Sequence, residues 1–171
     1  MNTLKTVGSI LLAFVSVFIL LLVFNNKGQA ELAPTTKSSP TNATLTIEND
    51  SYDFGTISMA SGDVTHLYTV KNLSQEAIVL GEIYTSCMCT AAQVLYSDET
   101  KSAVGGMRGH NAPTYLNKTI QPGESFEIKA TFDPAAHGPS GTGPIHRNIY
   151  VQTNSTVLPQ IELTFDANVT K

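Results

Sequence analysis

The sequence after Asn42 predicts an all-β domain, a sandwich of about seven or eight strands. Short runs in which apolar and polar residues alternate recur there, separated by turn-forming clusters such as Ser61-Gly62-Asp63 and Gln121-Pro122-Gly123-Glu124. No segment after Asn42 has a sustained helical period with caps. Thr, Ser and Asn are frequent and Trp is absent, which suits an exported β-domain better than a helical cytosolic enzyme.

The N-terminus carries the pattern of a membrane segment. Val7–Phe24 is an uncharged apolar run that, as a helix, would span roughly 27 Å at about 1.5 Å per residue, close to the thickness of a bilayer core. Lys5 precedes the run, so the positive-inside rule keeps residues 1–6 in the cytoplasm and exports the rest. Residues 7–24 therefore predict a single-pass transmembrane signal anchor. A cleaved signal peptide is the alternative, because Gly28-Gln29-Ala30 offers small residues at a cleavage-like position.

Residues 25–42 predict a flexible linker between the anchor and the domain. They contain Pro34, Pro40 and few apolar residues, so they cannot bury enough surface to fold alone. The β-sandwich then occupies residues 43–171, outside the cytoplasm. The formal net charge is -4 and thinly spread, and no basic patch indicates nucleic acid. We therefore expect the membrane and a protein, rather than nucleic acid, as partners.

The pattern of apolar and polar residues predicts the strands. Val64–Lys71 and Ser125–Phe132 alternate clearly, as strands with one buried face do. Ala77–Tyr84 is a more continuous apolar run, which is typical of a strand buried on both faces. The other predicted strands are Thr44–Ile47, Ile145–Thr153 and Leu158–Val169. This set of strands favours an immunoglobulin-like sandwich. The two cysteines, Cys87 and Cys89, are too close in sequence to form the inter-sheet disulfide of antibody domains.

An ordered set of motifs resembles the bacterial DUF1573 family. The motifs are Tyr52–Ile57, Thr65–Asn72, Thr85–Thr90, Ile120–Glu124 and Ala130–Asp133. The resemblance covers about residues 45–153 and implies an immunoglobulin-like sandwich, similar to ciliary and major-sperm-protein domains, in a bacterial, exported setting. It implies no reaction. This chain departs from the shorter family pattern in two loops, 96–115 and 133–144, and each loop brings a histidine.

Both cysteines of the chain, Cys87 and Cys89, lie at the predicted end of a strand. Residues i and i+2 of a strand point to the same face, so the two thiols would lie close enough to share one metal ion. Met88 should then point the other way, towards the core. Extended backbone holds the two Cα atoms about 6.5 Å or more apart, so a relaxed disulfide would need a local bend. A disulfide or redox pair, and buried thiols without chemistry, stay open as alternatives.

Two loop histidines extend this pair into a candidate metal site. His110 lies in a Gly-rich loop near Met107, and His137 lies in a Pro/Gly-rich loop directly after a predicted strand. Thiolate with imidazole is the ligand set of zinc and copper, and a nearby thioether favours copper. The candidate metal ligands are Cys87, Cys89, His110, His137 and, as a weak ligand, Met107.

The sequence predicts a membrane-tethered, extracytoplasmic, non-enzymatic module that binds copper, with zinc as the alternative metal. No Gly-x-Ser-x-Gly elbow and no phosphate-binding Lys-Thr occur, so no catalytic or cofactor-binding residues are predicted. The alternative function is a structural or protein-interaction domain whose two cysteines pack or form a disulfide. A thiol–disulfide enzyme would need a depressed thiol pKa, and no helix N-terminus or flanking Lys or Arg near Cys87 predicts one.

Overall fold

The computed structural model describes residues 38–171. The predicted cytoplasmic N-terminus, the predicted anchor over residues 7–24 and most of the predicted linker lie outside the described residues. Within residues 38–171, no helix has the length and apolar character that a membrane crossing needs. Ser39 and Thr41 already contact the domain. The Asn154 side chain donates a hydrogen bond to the Ser39 carbonyl, and the Thr41 N–H donates to the Asn154 carbonyl.

The described chain forms a β-sandwich of two sheets. Its strands are β1 (Thr46–Ile47), β2 (Ser51–Ser58), β3 (Val64–Lys71), β4 (Ile78–Thr85), β5 (Thr90–Tyr96), β6 (Thr114–Ile120), β7 (Ser125–Phe132), β8 (Gly143–Thr153) and β9 (Gln160–Thr170). One sheet has the strand order β1-β3-β7-β5, and the other has the order β2-β9-β8-β4-β6. Neighbouring strands are antiparallel except β2 and β9, which run parallel. Short 3-10 turns lie at Met59–Ser61 and Gly138–Gly141.

Alternating apolar residues build the core between the sheets. Strand β7 buries every second residue because successive side chains of a strand point to opposite faces. The side chains that β7 buries are Phe126, Ile128, Ala130 and Phe132. Strand β9 shows the same alternation in the opposite sheet. Burial of one large apolar side chain contributes about 1.5–3 kcal/mol, so these interleaved rows are the main source of stability.

The predicted all-β sandwich is confirmed, with nine strands where the sequence predicted seven or eight. The predicted strands Val64–Lys71 and Ser125–Phe132 coincide with β3 and β7. Strands β2, β5 and β6 are additions to the predicted set. Strands β2 and β6 form the two edges of their sheet and bury few side chains, so their sequences lack a clear apolar face. Strand β5 begins directly after the Cys-x-Cys segment, which was expected to end a strand rather than to precede one.

The register of β5 and β7 decides which loops meet at one end of the sandwich. Thr90, the first residue of β5, pairs with Phe132, the last residue of β7. The Asp133 N–H donates to the Cys89 carbonyl at 2.9 Å, which continues the pairing beyond the strands. The segment before β5 and the loop after β7 therefore lie side by side.

Candidate metal centre

Cys87 and Cys89 lie in a tight turn between β4 and β5. The Thr90 N–H donates to the Cys87 carbonyl at 3.1 Å, which closes a β-turn over residues 87–90. The buried Thr85 hydroxyl lies 3.0 Å from the carbonyl oxygens of both Cys87 and Thr90 and ties the turn to the end of β4. The expectation of an extended Cys-x-Cys is thus corrected, because the chain crosses here from one sheet to the other. Met88, expected in the core, is 57% exposed on this turn.

The two thiols are free but differ in exposure. Cys87 is half-buried, whereas Cys89 is only 3% exposed and belongs to the edge of the apolar core. The Cys89 N–H donates to the Cys87 sulfur at 3.4 Å, so the backbone of the turn itself supports charge on Cys87. The turn therefore presents one accessible and one shielded sulfur.

His137 reaches the turn from the loop after β7. The chain reverses at Gly138, whose φ of +58° is a conformation that favours glycine, and the Ser140 hydroxyl donates to the His137 carbonyl at 2.9 Å. The exposed His137 imidazole places its Nε2 atom 3.2 Å from the sulfur of Cys87. The ligand atoms of Cys87, Cys89 and His137 all lie within 4.8 Å of one another.

Arg147 on β8 is a fourth member of the site that the sequence analysis missed. Its Nε–H donates to the sulfur of Cys89 at 3.2 Å, and its Nη1 donates to the His146 carbonyl at 2.8 Å. In the strand, Arg147 has the same parity as Ile149 and Val151, which are fully buried. A charged side chain on the inward face of a strand needs a partner, since burial of an unpaired charge is costly. This parity is the signal by which the sequence could have identified Arg147.

These contacts shift the pKa values of the two thiols in opposite directions. Partial burial alone would raise the pKa of Cys87, but hydrogen bonds from Cys89 and His137 and the charge of Arg147 outweigh it and lower this pKa to about 7. Burial and the neighbouring Cys87 raise the pKa of Cys89, although hydrogen bonds from Arg147 and Thr90 oppose the rise. The lack of a flanking cation in the sequence is therefore misleading, because Arg147 reaches the thiols from 58 residues away.

His110 lies outside this group of ligand atoms. Among residues 38–171, the close set of Cys, His and carboxylate ligand atoms consists of Cys87, Cys89 and His137. His110 is exposed in a turn in which its N–H donates to the Met107 carbonyl at 3.2 Å. The structure thus brings together three of the four strong ligands that the sequence predicted.

The loop that carries His110 is held against another part of the sandwich. Arg108 forms two hydrogen bonds with the carboxylate of Glu82 on β4, the shorter at 2.7 Å, and its guanidinium lies 3.5 Å from the centre of the Tyr84 ring. Glu82 is buried, so this ion pair neutralises a charge that the sandwich would otherwise enclose. The contact fixes residues 105–111 beside β4, and His110 with them.

The same loop also extends the backbone pairing of two strands. Met107 forms a bridge with Thr85, and Gly105 forms one with Ala92 on β5. The loop therefore has a structural task independent of any ligand. The role of the half-buried Met107 as a weak metal ligand stays a prediction.

Among the solved structures that are similar to this chain are the following two. A protein of unknown function from Porphyromonas gingivalis W83 has a TM-score of 0.55 and 14% identity, over 81% of this chain and 51% of that chain. This chain thus spans about half the length of that protein. The ASH / PapD-like domain of human CEP192 (PapD-like domain 7) has a TM-score of 0.46 and 16% identity, over 81% of this chain and 92% of that chain. At such identities a structural likeness concerns the fold alone.

Among curated proteins, none matches this chain. Residues 45–106 match the family described as Protein of unknown function (DUF1573). That segment contains Cys87 and Cys89, whereas His137 and Arg147 lie beyond it. Over residues 45–106 the chain therefore matches the DUF1573 family, which confirms the resemblance predicted from its motifs.

Proposed function

We propose that this domain is a non-enzymatic module that binds one copper(I) ion through the sulfur atoms of Cys87 and Cys89 and the Nε2 atom of His137. The observation that carries the proposal is the convergence of these three ligand atoms within 4.8 Å. Thiolate sulfur is a soft ligand that selects copper(I) or zinc over hard cations, and imidazole suits both metals.

The spacing of the ligands suits a small metal ion. Around a three-coordinate metal with bonds of roughly 2.3 Å to sulfur and roughly 2.0 Å to nitrogen, a sulfur and a nitrogen lie about 3.7 Å apart. The sulfur of Cys87 and Nε2 of His137 are 3.2 Å apart, so a small rotation of the exposed imidazole would reach that value. A metal also needs deprotonated thiols. The pKa of Cys87, lowered to about 7, reduces the cost of losing its proton, whereas the raised pKa of Cys89 means that the metal must displace a proton from that sulfur.

The charge balance favours copper(I) over zinc. Two thiolates with one cuprous ion carry a single net negative charge, and the guanidinium of Arg147 beside Cys89 would neutralise it. Two thiolates with a zinc ion are already neutral, which would leave the Arg147 charge without a counter-ion at the site. Structural zinc sites also take four protein ligands, whereas the described residues offer three close ones here.

The position of the site suits exchange of the ion with a partner. Beside the thiols lies an open groove of about 360 Å³, whose lining includes His137, Ser140, Ile145 and Arg147. The imidazole is exposed, so another protein could approach the metal from this side. The geometry therefore supports sequestration or delivery of copper.

We infer the setting from the N-terminal sequence. Residues 7–24 would hold the domain on the outer side of a bacterial membrane, with the part of residues 25–42 that precedes Ser39 as the linker. A tethered domain of this kind would accept or pass on copper close to the membrane through a protein partner.

The test is the metal content of the full chain, kept in detergent and reduced. The protein is loaded anaerobically with cuprous copper or with zinc, desalted, and measured by mass spectrometry of the metal. We expect about one copper per chain, retained against a competing chelator that removes the zinc. Cys89→Ser should lose the copper, and His110→Ala, the matched control, should keep it. A wild-type chain without copper, or a Cys89→Ser chain that keeps it, would overturn the proposal.

A further inference from the structure

We propose that Cys87 and Cys89 also form a reversible intramolecular disulfide by exchange with an external disulfide, and that this oxidation releases the metal ion. The inference rests on the proposed metal site, because the same two sulfur atoms take part. The protein is a stoichiometric reactant in this exchange, with the disulfide of a small thiol such as glutathione as the oxidant.

The backbone of the turn places the two cysteines within reach of a bond. The hydrogen bond from the Thr90 N–H to the Cys87 carbonyl folds the chain back over residues 87–90. In such a turn the Cα atoms of residues i and i+2 lie about 5.5 Å apart, inside the range of roughly 4.4–6.8 Å that disulfides adopt. The sulfur atoms already lie within 4.8 Å of each other. Side-chain rotation can therefore bring them to bonding distance without moving the strands.

The difference in exposure assigns a separate step to each thiol. Cys87 is half-buried, and its sulfur contacts the exposed His137, which lines the groove, so an external disulfide can approach this sulfur. Cys89 is 3% exposed and Arg147 donates a hydrogen bond to it, so the same reagent is excluded from its sulfur. Cys87 is thus the attacking thiol, and Cys89 is the resolving thiol.

The exchange balances in two displacements. The Cys87 sulfur attacks one sulfur of the external disulfide, a mixed disulfide forms, and the first small thiolate leaves. The Cys89 sulfur then attacks Cys87 in the mixed disulfide, the intramolecular bond forms, and the second small thiolate leaves. Two protein sulfurs are oxidised and one external disulfide is reduced to two small thiols. In the metal-free protein the two protons lost by the cysteines end on those thiols. In the copper-loaded protein the cysteines are already deprotonated, so the two small thiolates take protons from water or bind the released copper(I).

Formation of the bond would dismantle the metal site. Both sulfur ligands are consumed, and His137 alone remains of the three converging ligands. A single imidazole cannot hold copper(I) against competing thiols, so the ion leaves with its oxidation state unchanged. Reduction by a dithiol would restore the site.

The experiment measures disulfide formation and copper content separately in the full chain. The metal-free protein is equilibrated with mixtures of reduced and oxidised glutathione, quenched in acid, alkylated and analysed by mass spectrometry. We expect an intramolecular disulfide in the wild type. Cys89→Ser should accumulate a glutathione adduct at Cys87 at least about ten times faster than Cys87→Ser accumulates one at Cys89. Cys89→Ala, checked for its fold by circular dichroism, repeats the test without a new hydroxyl.

Copper content decides whether the two processes are coupled. The copper-loaded wild type should lose its ion as the disulfide forms and bind it again after reduction with a dithiol. A wild type that stays reduced in oxidised glutathione, or equal adduct rates at the two cysteines, would overturn the exchange while leaving copper binding in place. A reduced wild type without copper would instead overturn the proposed function and the release of the ion, and the disulfide measurement would still decide the exchange.

Discussion

The loop that carries His137 and the loop that carries His110 differ in what holds them to the sandwich. The loop with His110 pairs its backbone with β4 and β5 and fixes Arg108 on the buried Glu82. The loop with His137 continues the pairing of β5 and β7 for one more hydrogen bond, at Asp133, and then reverses. The loop with His110 extends the backbone pairing of β4 and β5, whereas the loop with His137 places an imidazole beside the thiols.

This difference shows that a site of this kind depends on strand register. Both loops are rich in glycine, and both histidines are exposed. The loop that leaves the sheet next to the Cys-x-Cys turn brings its histidine to the thiols, because Thr90 and Phe132 are paired. Three predictions separate the two loops further, from the largest expected effect to the smallest.

Removal of the His137 imidazole should weaken copper binding, whereas removal of the His110 imidazole should leave it nearly unchanged. His137→Ala deletes one of three converging ligands, and we expect copper(I) affinity to fall by about a hundredfold, since even changes to groups behind metal ligands cost 10–100-fold. His110→Ala should change it by less than about twofold. Competition with a chromophoric copper(I) chelator measures both. Equal losses in the two variants would contradict the assignment of the loops.

Substitution of one glycine in each loop should affect different properties, the stability of the fold in one case and copper binding in the other. A Cβ at Gly105 would lie 2.7 Å from the Ile83 carbonyl oxygen, so Gly105→Ala should destabilise the fold by about 1–3 kcal/mol. A Cβ at Gly141 would lie 2.8 Å from the Cβ of His137, so Gly141→Ala should displace the imidazole and lower copper affinity by about tenfold. Urea unfolding and chelator competition, run on both variants, test this. The comparison fails if Gly105→Ala weakens copper binding more than Gly141→Ala does.

The pH dependence of thiol modification should report the contacts of the site. Because the pKa of Cys87 is lowered to about 7, its thiolate dominates above that pH, and its rate of alkylation should level off there. Below pH 7 the rate should fall by about tenfold per pH unit, whereas an ordinary cysteine would level off only near pH 8.5. Arg147→Gln should move the Cys87 curve to higher pH, and His110→Ala should leave it in place. Mass spectrometry of the alkylated peptides gives the rates, and a Cys87 rate that still rises above pH 8 would count against the lowered pKa.

The strands that the sequence predicts best are those that pack at least one face on the core. Val64–Lys71 and Ser125–Phe132 alternate because each packs one face on the core, and their predicted bounds are correct. The edge strand β6 is different, because Tyr115 is 64% exposed and Asn117 has a φ of +48°, which breaks the regular pattern. Local alternation does not reveal this strand, because Tyr115 faces solvent and only Leu116 and Ile120 pack on the core.

The site is predicted in its residue types and only partly in its geometry. Cysteine and histidine are common metal ligands, so the sequence nominates Cys87, Cys89 and His137, but it nominates His110 on the same grounds. The turn at residues 87–90 depends on the crossing from one sheet to the other, and the strand pattern alone cannot place it. Arg147 could have been found from its inward parity, whereas the exclusion of His110 depends on the pairing of Arg108 with Glu82.

X-ray absorption spectroscopy of the full chain loaded with copper(I) tests the central claim most directly. The claim is that the two thiols and the imidazole of His137 share one metal ion, and that His110 has no part in it. We expect a copper shell of two sulfur atoms and one imidazole nitrogen, in which the imidazole signal disappears in His137→Ala and persists in His110→Ala. A shell with fewer than two sulfur atoms, or an imidazole signal that disappears only in His110→Ala, would contradict the account.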